Sequence, residues 1–174
     1  MYFLSLRSKL IPLRIMDSYI RNANRLTIFL YVVLLLISAA GAIWLPDSVA
    51  IHYKLGGKPD RWGSPASLLV LPFIVFFLLG IIWATDKAHP DFMNFPGPRT
   101  PGNVARQLRN THLMSATVRP FLTLFFVVIQ GQSIWAKFYN QDRLIGWSIP
   151  VMLVLLFLLI GFFVRRSYQL VPRQ

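Results

Sequence analysis

The sequence predicts an all-α membrane protein with four transmembrane helices. Four apolar runs each approach the length needed to cross a bilayer, because about 30 Å of hydrocarbon requires about 20 helical residues at about 1.5 Å each. The chain is 55% hydrophobic and only 14% charged. Apart from Arg119 at one end of the third run, the runs contain no charged residue. The four runs are residues 26–45, 67–84, 118–136 and 145–164.

These runs define one compact membrane domain, residues 26–164. A basic amino-terminal flank, residues 1–25, precedes it and a basic tail, residues 165–174, follows it. Within the domain we expect a structured outer cap at residues 46–65 and an inner loop at residues 85–117. The second half of that inner loop should form an interfacial helix before the third span.

The net charge of +12 comes from 18 Lys and Arg against six acidic residues. In a soluble protein this charge would suggest nucleic-acid binding. Here the cations lie between and beside the spans, where they set topology and meet anionic lipid headgroups, so we expect no nucleic-acid partner. The chain has no Cys, which excludes disulfides and thiolate metal sites.

The distribution of cations predicts the orientation of the chain. Thirteen Lys and Arg fall on the side that holds both termini and the inner loop, and five fall on the other side. The positive-inside rule therefore predicts cytoplasmic termini. The first run is longer than a usual signal-peptide core, which favours an uncleaved anchor. Residues 1–15 form a short interfacial helix broken near Pro12, or Met16 is the true start; the sequence leaves both open.

The outer cap is expected to contain a short extended segment followed by a turn. Val49, Ile51 and Tyr53 alternate with polar or small residues, which is the period of a half-buried strand. Gly56-Gly57 is a turn pair, and Trp62 should return the chain to the membrane interface. The candidate ligand-binding residues of this cap are His52, Tyr53, Gly57, Asp60 and Trp62.

The cap also carries a resemblance to a known family. The residues Leu45-Pro46-Asp47, Val49, Ile51-His52, Gly57-Lys58-Pro59-Asp60 and Trp62-Gly63, followed by a span with Pro72, resemble domain-of-unknown-function family 1648. That domain is similar to the amino-terminal part of membrane proteins like SdpI, an immunity protein against a secreted peptide toxin. A second stretch, His89-Pro90-Asp91-Phe92 with Asn103-Val104-Ala105-Arg106-Gln107, is similar to other small four-span members. The resemblance implies a membrane protein of the bacterial inner membrane. It carries immunity only as an expectation, because SdpI-type immunity proteins are longer and continue past the four spans found here.

The inner loop divides into an extended part and a helix. Prolines between His89 and Pro101 favour irregular backbone, whereas Thr100 and Pro101 suit the start of a helix. Val104 and Leu108 would then form an apolar stripe. We expect that stripe to face lipid, with a docking surface for a cytoplasmic regulatory protein as the alternative.

Few residues suggest chemistry. Asp47, His52 and Asp60 could hold a metal, but three ligands on one short loop are too few, and hydrogen bonds within the cap explain them better. Gln130 and Gln132 are polar residues inside a span, where side chains usually bond a neighbouring helix. No enzyme motif is present, so we expect neither catalysis nor a cofactor.

The sequence therefore predicts a non-enzymatic binding, sensing or immunity-type component that recognises an extracytoplasmic ligand, such as a peptide, through its first outer loop. The alternative is a small oligomeric carrier or channel subunit with Gln130 and Pro72 along its path. The absence of acidic residues, Lys and His inside the spans counts against transport. A metal-dependent membrane enzyme using His52 and Asp60 is the third hypothesis.

Overall fold

The computed structural model is a bundle of four long helices with one two-stranded hairpin. It describes residues 2–45, 47–54, 56–140 and 143–172, and of residues 2–15 only the helical backbone. The helices are α1 (Tyr2–Trp44), α2 (Val70–Lys87), α3 (Pro101–Phe138) and α4 (Ser148–Gln169), and the strands are β1 (Val49–Tyr53) and β2 (Pro59–Gly63). Short 3-10 turns at Pro65–Leu69 and Pro90–Phe92 precede α2 and follow it. The predicted all-α, four-span fold is confirmed.

Four helical segments of the described residues are long and apolar enough to cross a membrane, namely Met16–Trp44, Pro65–Lys87 (the 3-10 turn together with α2), Pro101–Phe138 and Ser148–Gln169. The third differs from the prediction, because the expected interfacial helix and the third span form one continuous helix. Thr100 begins it by accepting a hydrogen bond from the Asn103 backbone, and Pro120 lies inside it without ending it. The break predicted near Pro12 is also absent, since α1 runs through that residue.

The extended segment predicted around residues 49–53 is a strand, and the residues after the turn pair with it to form a hairpin that the sequence did not predict. Strands β1 and β2 pair antiparallel, with Val49 opposite Gly63 and Ala50 opposite Trp62. Register shifts around His52 bend the pair. Gly57 lies in the turn with φ of +79°, a conformation that glycine adopts without steric cost. The hairpin and the connection between α3 and α4 lie at one end of the bundle, which we call the hairpin end.

Helix α3 is the centre of the bundle and packs against all three other helices. Leu34, Val75 and Leu79 form an apolar cluster between α1 and α2, which Phe126 and Val127 of α3 complete. A second cluster at the hairpin end joins Leu45, Val49 and Leu68 to Ile134.

Buried polar side chains are almost as numerous as buried apolar ones among the described residues. This is typical of membrane bundles, in which helix association depends on close packing and interhelical hydrogen bonds rather than on burial from water. Gln130 donates to the Ser38 hydroxyl and to the Leu68 carbonyl, each at 3.0 Å. Gln132 donates to Ser148 at 3.0 Å and accepts a hydrogen bond from the Ile145 backbone. Both residues link α3 to its neighbours, as expected of polar residues inside a span.

The amino-terminal half of α3 packs through a polar face. Asn103 donates to the carbonyls of Pro96 and Pro98 and so holds the segment before α3. Gln107 and Asn110 donate to the Ser167 and Phe163 carbonyls of α4, each at 2.9 Å. The predicted apolar stripe of Val104 and Leu108 is only half-buried. The contact with α4 is therefore made by amides and not by that stripe.

A buried ion pair joins α2 to α3. Arg119, only 1% exposed, donates to the Asp86 carboxylate, and its guanidinium lies 5.6 Å from the centre of the Trp83 ring. The sequence did not predict this contact, because the predicted second span ended at residue 84, before Asp86, and Arg119 was expected only at one end of the third span. Helix α2 continues to Lys87 and so includes Asp86, and Arg119 points into the bundle.

We predict that Gln107→Leu weakens the packing of α4 on α3. The variant removes the bond to the Ser167 carbonyl and the acceptor of the Ser167 hydroxyl, so the free energy of unfolding should fall by about 1 kcal/mol. Denaturant unfolding in micelles, followed by circular dichroism, measures the change. Gln169→Leu, the same substitution at an exposed site of α4, is the control. Equal stability of the two variants would contradict the role of Gln107.

We also predict that Arg119→Met is strongly destabilising. It leaves Asp86 without its partner, and breaking a buried pair costs about 3–5 kcal/mol. The double variant Arg119→Met with Asp86→Leu should recover most of that loss, because no unpaired charge remains. Lys87→Met, at the exposed neighbouring position, should leave the unfolding free energy unchanged. A double variant as unstable as Arg119→Met alone would show that the pair is not the source of the loss.

Candidate functional site

A cleft at the hairpin end is the candidate site. It lies between the hairpin and the carboxyl-terminal end of α3, and its volume is about 300 Å³. The hairpin reaches this position because Leu45, Val49 and Leu68 pack together beside Ile134 of α3. The lining residues are Ala50, Tyr53, Pro59, Trp62, Ser133, Ala136, Lys137, Asn140 and Arg143.

Two of the predicted ligand residues, Tyr53 and Trp62, line this cleft. Ser133 of α3 lines the cleft beside Tyr53. Burial of the phenol raises the pKa of Tyr53 above its ordinary value of 10.0, although the nearby Ser133 hydroxyl partly offsets the rise. Trp62 is 56% exposed, so a large part of its indole remains available for contact. Tyr53 is thus a neutral, fixed wall of the cleft and Trp62 an open aromatic surface.

The cationic part of the cleft was not predicted from the sequence. Lys137 at the end of α3 and Arg143 in the following connection line it, together with Asn140. None of the described lining residues is acidic. The two cations entered the sequence analysis only as counts for topology. Lys137 and Arg143 follow the third span on the same side of the membrane as the outer cap. That position in the sequence was the signal that they could contact the hairpin.

A second cavity of about 300 Å³ adjoins the first and shares Ala50, Tyr53 and Ser133 with it. Its walls include Leu68, Leu71, Ile74 and Ile129, with Gln130 as a polar member. We call the part with Lys137 and Arg143 the cationic lobe and this part the apolar lobe. Because Tyr53 borders both lobes, one ligand could contact an aromatic ring, two cations and an apolar wall.

Gly57 lies outside the cleft lining. It links the turn of the hairpin to the connection between α3 and α4. The Leu144 backbone N–H donates to the Gly57 carbonyl at 2.9 Å. A Cβ atom on Gly57 would lie 2.7 Å from the Leu144 carbonyl oxygen, so only glycine fits. Gly57 therefore fixes the position of the segment that carries Arg143.

His52 and Asp60 also lie outside the cleft lining and bond each other. The His52 Nδ1 atom lies 2.5 Å from the Asp60 carboxylate. This hydrogen bond, aided by the positive charge of Lys54, holds the pKa of the Asp60 carboxyl below its ordinary value of 3.8. Within the described ranges, no three His, Asp or Glu side chains come together to hold a metal. The metal-enzyme hypothesis gains no support from this geometry and stays a prediction.

Gln130 and Pro72, the residues that the carrier hypothesis puts along a transport path, both make contacts within the bundle. Gln130 is buried and uses its amide group to join Ser38 and Leu68, while one side of it borders the apolar lobe. Pro72 is fully buried, and its carbonyl accepts a hydrogen bond from Tyr31 at 3.3 Å. The carrier hypothesis likewise stays a prediction.

Sequence comparison relates the hairpin to a known domain. Residues 26–76 match the domain of unknown function DUF1648. This stretch contains the membrane-spanning part of α1, both strands and the start of α2. Lys137 and Arg143 lie outside the matched stretch, so half of the cleft is not covered by the domain.

One curated relative is an uncharacterized protein of Archaeoglobus fulgidus, 30% identical over 94 residues. The match covers 50% of this chain, and the chain spans about half, 51%, of the relative's own length. No solved structure matches the chain. Neither the matched domain nor this relative has a stated activity.

We predict that His52→Ala raises the pKa of Asp60 toward 3.8. The hydrogen bond favours the folded hairpin with an ionised Asp60, so its stabilisation is complete above about pH 4 and is lost as the pH falls through the lowered pKa. Carbon NMR titration of labelled Asp carboxyls measures the shift. His112→Ala, on α3, should leave the Asp60 titration unchanged. An identical Asp60 pKa in the wild type and His52→Ala would contradict the assignment.

Proposed function

We propose that this membrane protein is a non-enzymatic binding component whose cleft at the hairpin end recognises an anionic, partly apolar peptide. The observation that carries the proposal is the pairing of a cationic lobe with an apolar lobe on either side of Tyr53. Ligand sites in proteins are typically concave and apolar, with a few polar groups that fix orientation, and this cleft has that composition.

The charges of the cleft favour a carboxylate on the ligand. Lys137 and Arg143 provide two cationic donors, and Asn140 adds an amide. Hydrogen bonds between charged partners are about twice as strong as neutral ones. The apolar lobe and Trp62 would hold an adjacent large side chain. An acidic residue or a terminal carboxylate beside an apolar residue meets both requirements.

The expected topology supports an extracytoplasmic ligand. With thirteen cations on the side of the termini and five on the hairpin side, the positive-inside rule puts the hairpin end outside the cytoplasm. A secreted peptide would reach the cleft there without crossing the membrane. The resemblance of residues 45–72 to the amino-terminal part of SdpI-like proteins suggests an immunity-type version of this proposal, in which the cleft captures a peptide toxin.

Site-specific photocrosslinking in cells tests the proposal. The full-length chain carries a photoreactive phenylalanine at position 53 in the cleft or, as a control, at position 58 in the hairpin outside its lining. We expect one discrete peptide to be captured from position 53 and not from position 58. Capture of lipid and further copies of the chain alone would contradict the proposal and favour the oligomeric carrier.

A charge-matched variant pair makes the test specific. The captured peptide is resynthesised, and its affinity for the purified protein is measured by calorimetry. Lys137→Gln with Arg143→Gln should weaken binding at least tenfold, because both cations of the cleft are lost. Lys54→Gln with Arg61→Gln removes the same charge from the hairpin outside the lining and should bind as the wild type does. Equal weakening in both pairs would indicate only a general charge effect.

A further inference from the structure

The candidate cleft extends from the aqueous boundary of the membrane into the hydrocarbon. Trp44, Trp135 and Trp147 are all exposed at the hairpin end. Tryptophans of membrane proteins collect where hydrocarbon meets water, so these three mark that boundary. Along α3, Lys137 of the cationic lobe lies beyond Trp135, whereas Ile129 of the apolar lobe lies six residues, about 9 Å, deeper. The cationic lobe is therefore at the boundary, and the apolar lobe reaches below it.

The apolar lobe is open to lipid at its side. Val70 and Ile74, one turn apart on α2, line the lobe and are 55% and 45% exposed. Ile51 of the hairpin is also in the lining and is exposed as well. A ligand can therefore reach this lobe from within the bilayer, along the surface of α2.

The lower part of the apolar lobe suits a side chain and not an extended backbone. In hydrocarbon no water is present to bond peptide N–H and C=O groups, so each needs a partner in protein. Gln130 is the deepest polar residue of the described lining, and its amide nitrogen already donates to Ser38 and Leu68. An α-helix bonds its own peptide groups except at its ends. A helical ligand could therefore lie beside α2 and α3 and insert one apolar side chain here.

The cations of the cleft favour one end of such a helix. The carboxyl-terminal end of a helix has a partial negative charge from its unpaired carbonyls, and a terminal carboxylate adds a full charge. Lys137 and Arg143 would attract this end and repel the positive amino-terminal end. The favoured orientation puts the carboxyl end at the aqueous boundary and the preceding apolar residues deeper in the bilayer.

We infer that the ligand of the cleft is a membrane-inserted helical peptide, with its terminal carboxylate in the cationic lobe and an apolar side chain in the apolar lobe. Lys137 and Ile129 are eight residues apart on α3, which is about 12 Å. In a helix that lies along α3, the inserted side chain should therefore come from about eight residues before the carboxyl end. This inference rests on the proposed function, to which it adds the conformation, the orientation and the route of the peptide.

Photocrosslinking at two depths tests the inference in cells. The full-length chain carries a photoreactive phenylalanine at position 62 in the cationic lobe or at position 74 in the apolar lobe. Position 76 is the control, because it is an exposed Phe on the side of α2 that faces Tyr31 of α1. We expect the same peptide from positions 62 and 74 and not from position 76. Position 62 should join the carboxyl end of the peptide, and position 74 a residue about eight places earlier.

The possible outcomes separate this inference from the proposed function. A peptide captured from position 62 with only lipid from position 74 would overturn the inference and leave the proposed function intact. Attachment of the amino end of the peptide to position 62 would overturn the orientation. Absence of any peptide from both positions would contradict the inference and the proposed function together.

A modified peptide tests the terminal carboxylate. The captured peptide is resynthesised with a free or an amidated carboxyl end, and its affinity for the protein in nanodiscs is measured. Amidation should weaken binding at least tenfold, because the group that meets both cations is lost. Replacement of acidic side chains in the peptide by their amides should not. Equal affinity of the free and amidated peptides would overturn the assignment of the carboxyl end.

A variant with a matched control tests the apolar lobe. Ile74→Trp fills the lobe from a partly exposed position and should weaken binding of the free peptide at least tenfold. Phe76→Trp places the same side chain on α2 outside the described lining and should bind as the wild type does. Unchanged binding to Ile74→Trp would overturn the insertion of a side chain into this lobe.

Discussion

The bundle depends on side-chain amides of α3 that bond elements distant in sequence. Asn103 holds the segment before α3, Gln107 and Asn110 hold α4, Gln130 holds α1 and the start of α2, and Gln132 holds the connection to α4. In hydrocarbon, apolar burial gives helices no preference for each other over lipid, so these polar contacts and close packing determine which faces meet. Most groups that these amides bond are backbone carbonyls, which every residue has. The fold therefore depends on the five amide side chains of α3 more than on the identity of the residues opposite them.

The same contacts position the candidate cleft. Gln132 fixes the backbone at Ile145, and the Gly57 carbonyl fixes it at Leu144, so the segment with Arg143 is held from α3 and from the hairpin. The hairpin itself is anchored by its apolar contact beside Ile134. The cationic lobe consequently has walls from three separate parts of the chain, each secured by a contact outside the lobe, and a ligand would meet a site that is already formed.

Local sequence pattern was enough to predict the four spans, the extended segment of the cap and its turn, because each depends on neighbouring residues. It could not predict the continuous α3 or the burial of Arg119, since the partner, Asp86, lies 33 positions away. Asn103, Gln107 and Asn110 have the spacing of residues on one face of a helix, which could have predicted a polar packing face. The prediction was instead based on the apolar stripe of Val104 and Leu108. Tyr53 and Trp62 could be predicted as site residues because both lie in the cap itself. Lys137 and Arg143 could not, because the sequence does not show that the connection between α3 and α4 meets the hairpin.

The buried ion pair has a specific use in a bundle of this kind. Apolar helices can slide along one another with little change in contact, because one leucine replaces another after each turn. Here α2 is fixed to α3 at both ends, by Gln130 to the Leu68 carbonyl before α2 and by Arg119 to Asp86 in its last turn. A slip of one turn, about 5.4 Å, would break both contacts and leave a charge unpaired in the bundle interior. The Arg119–Asp86 pair thus fixes the position of α2 along α3. Because the hairpin directly precedes α2 in the chain, the pair also fixes where the hairpin lies relative to the end of α3, whatever the pair contributes to the free energy of unfolding.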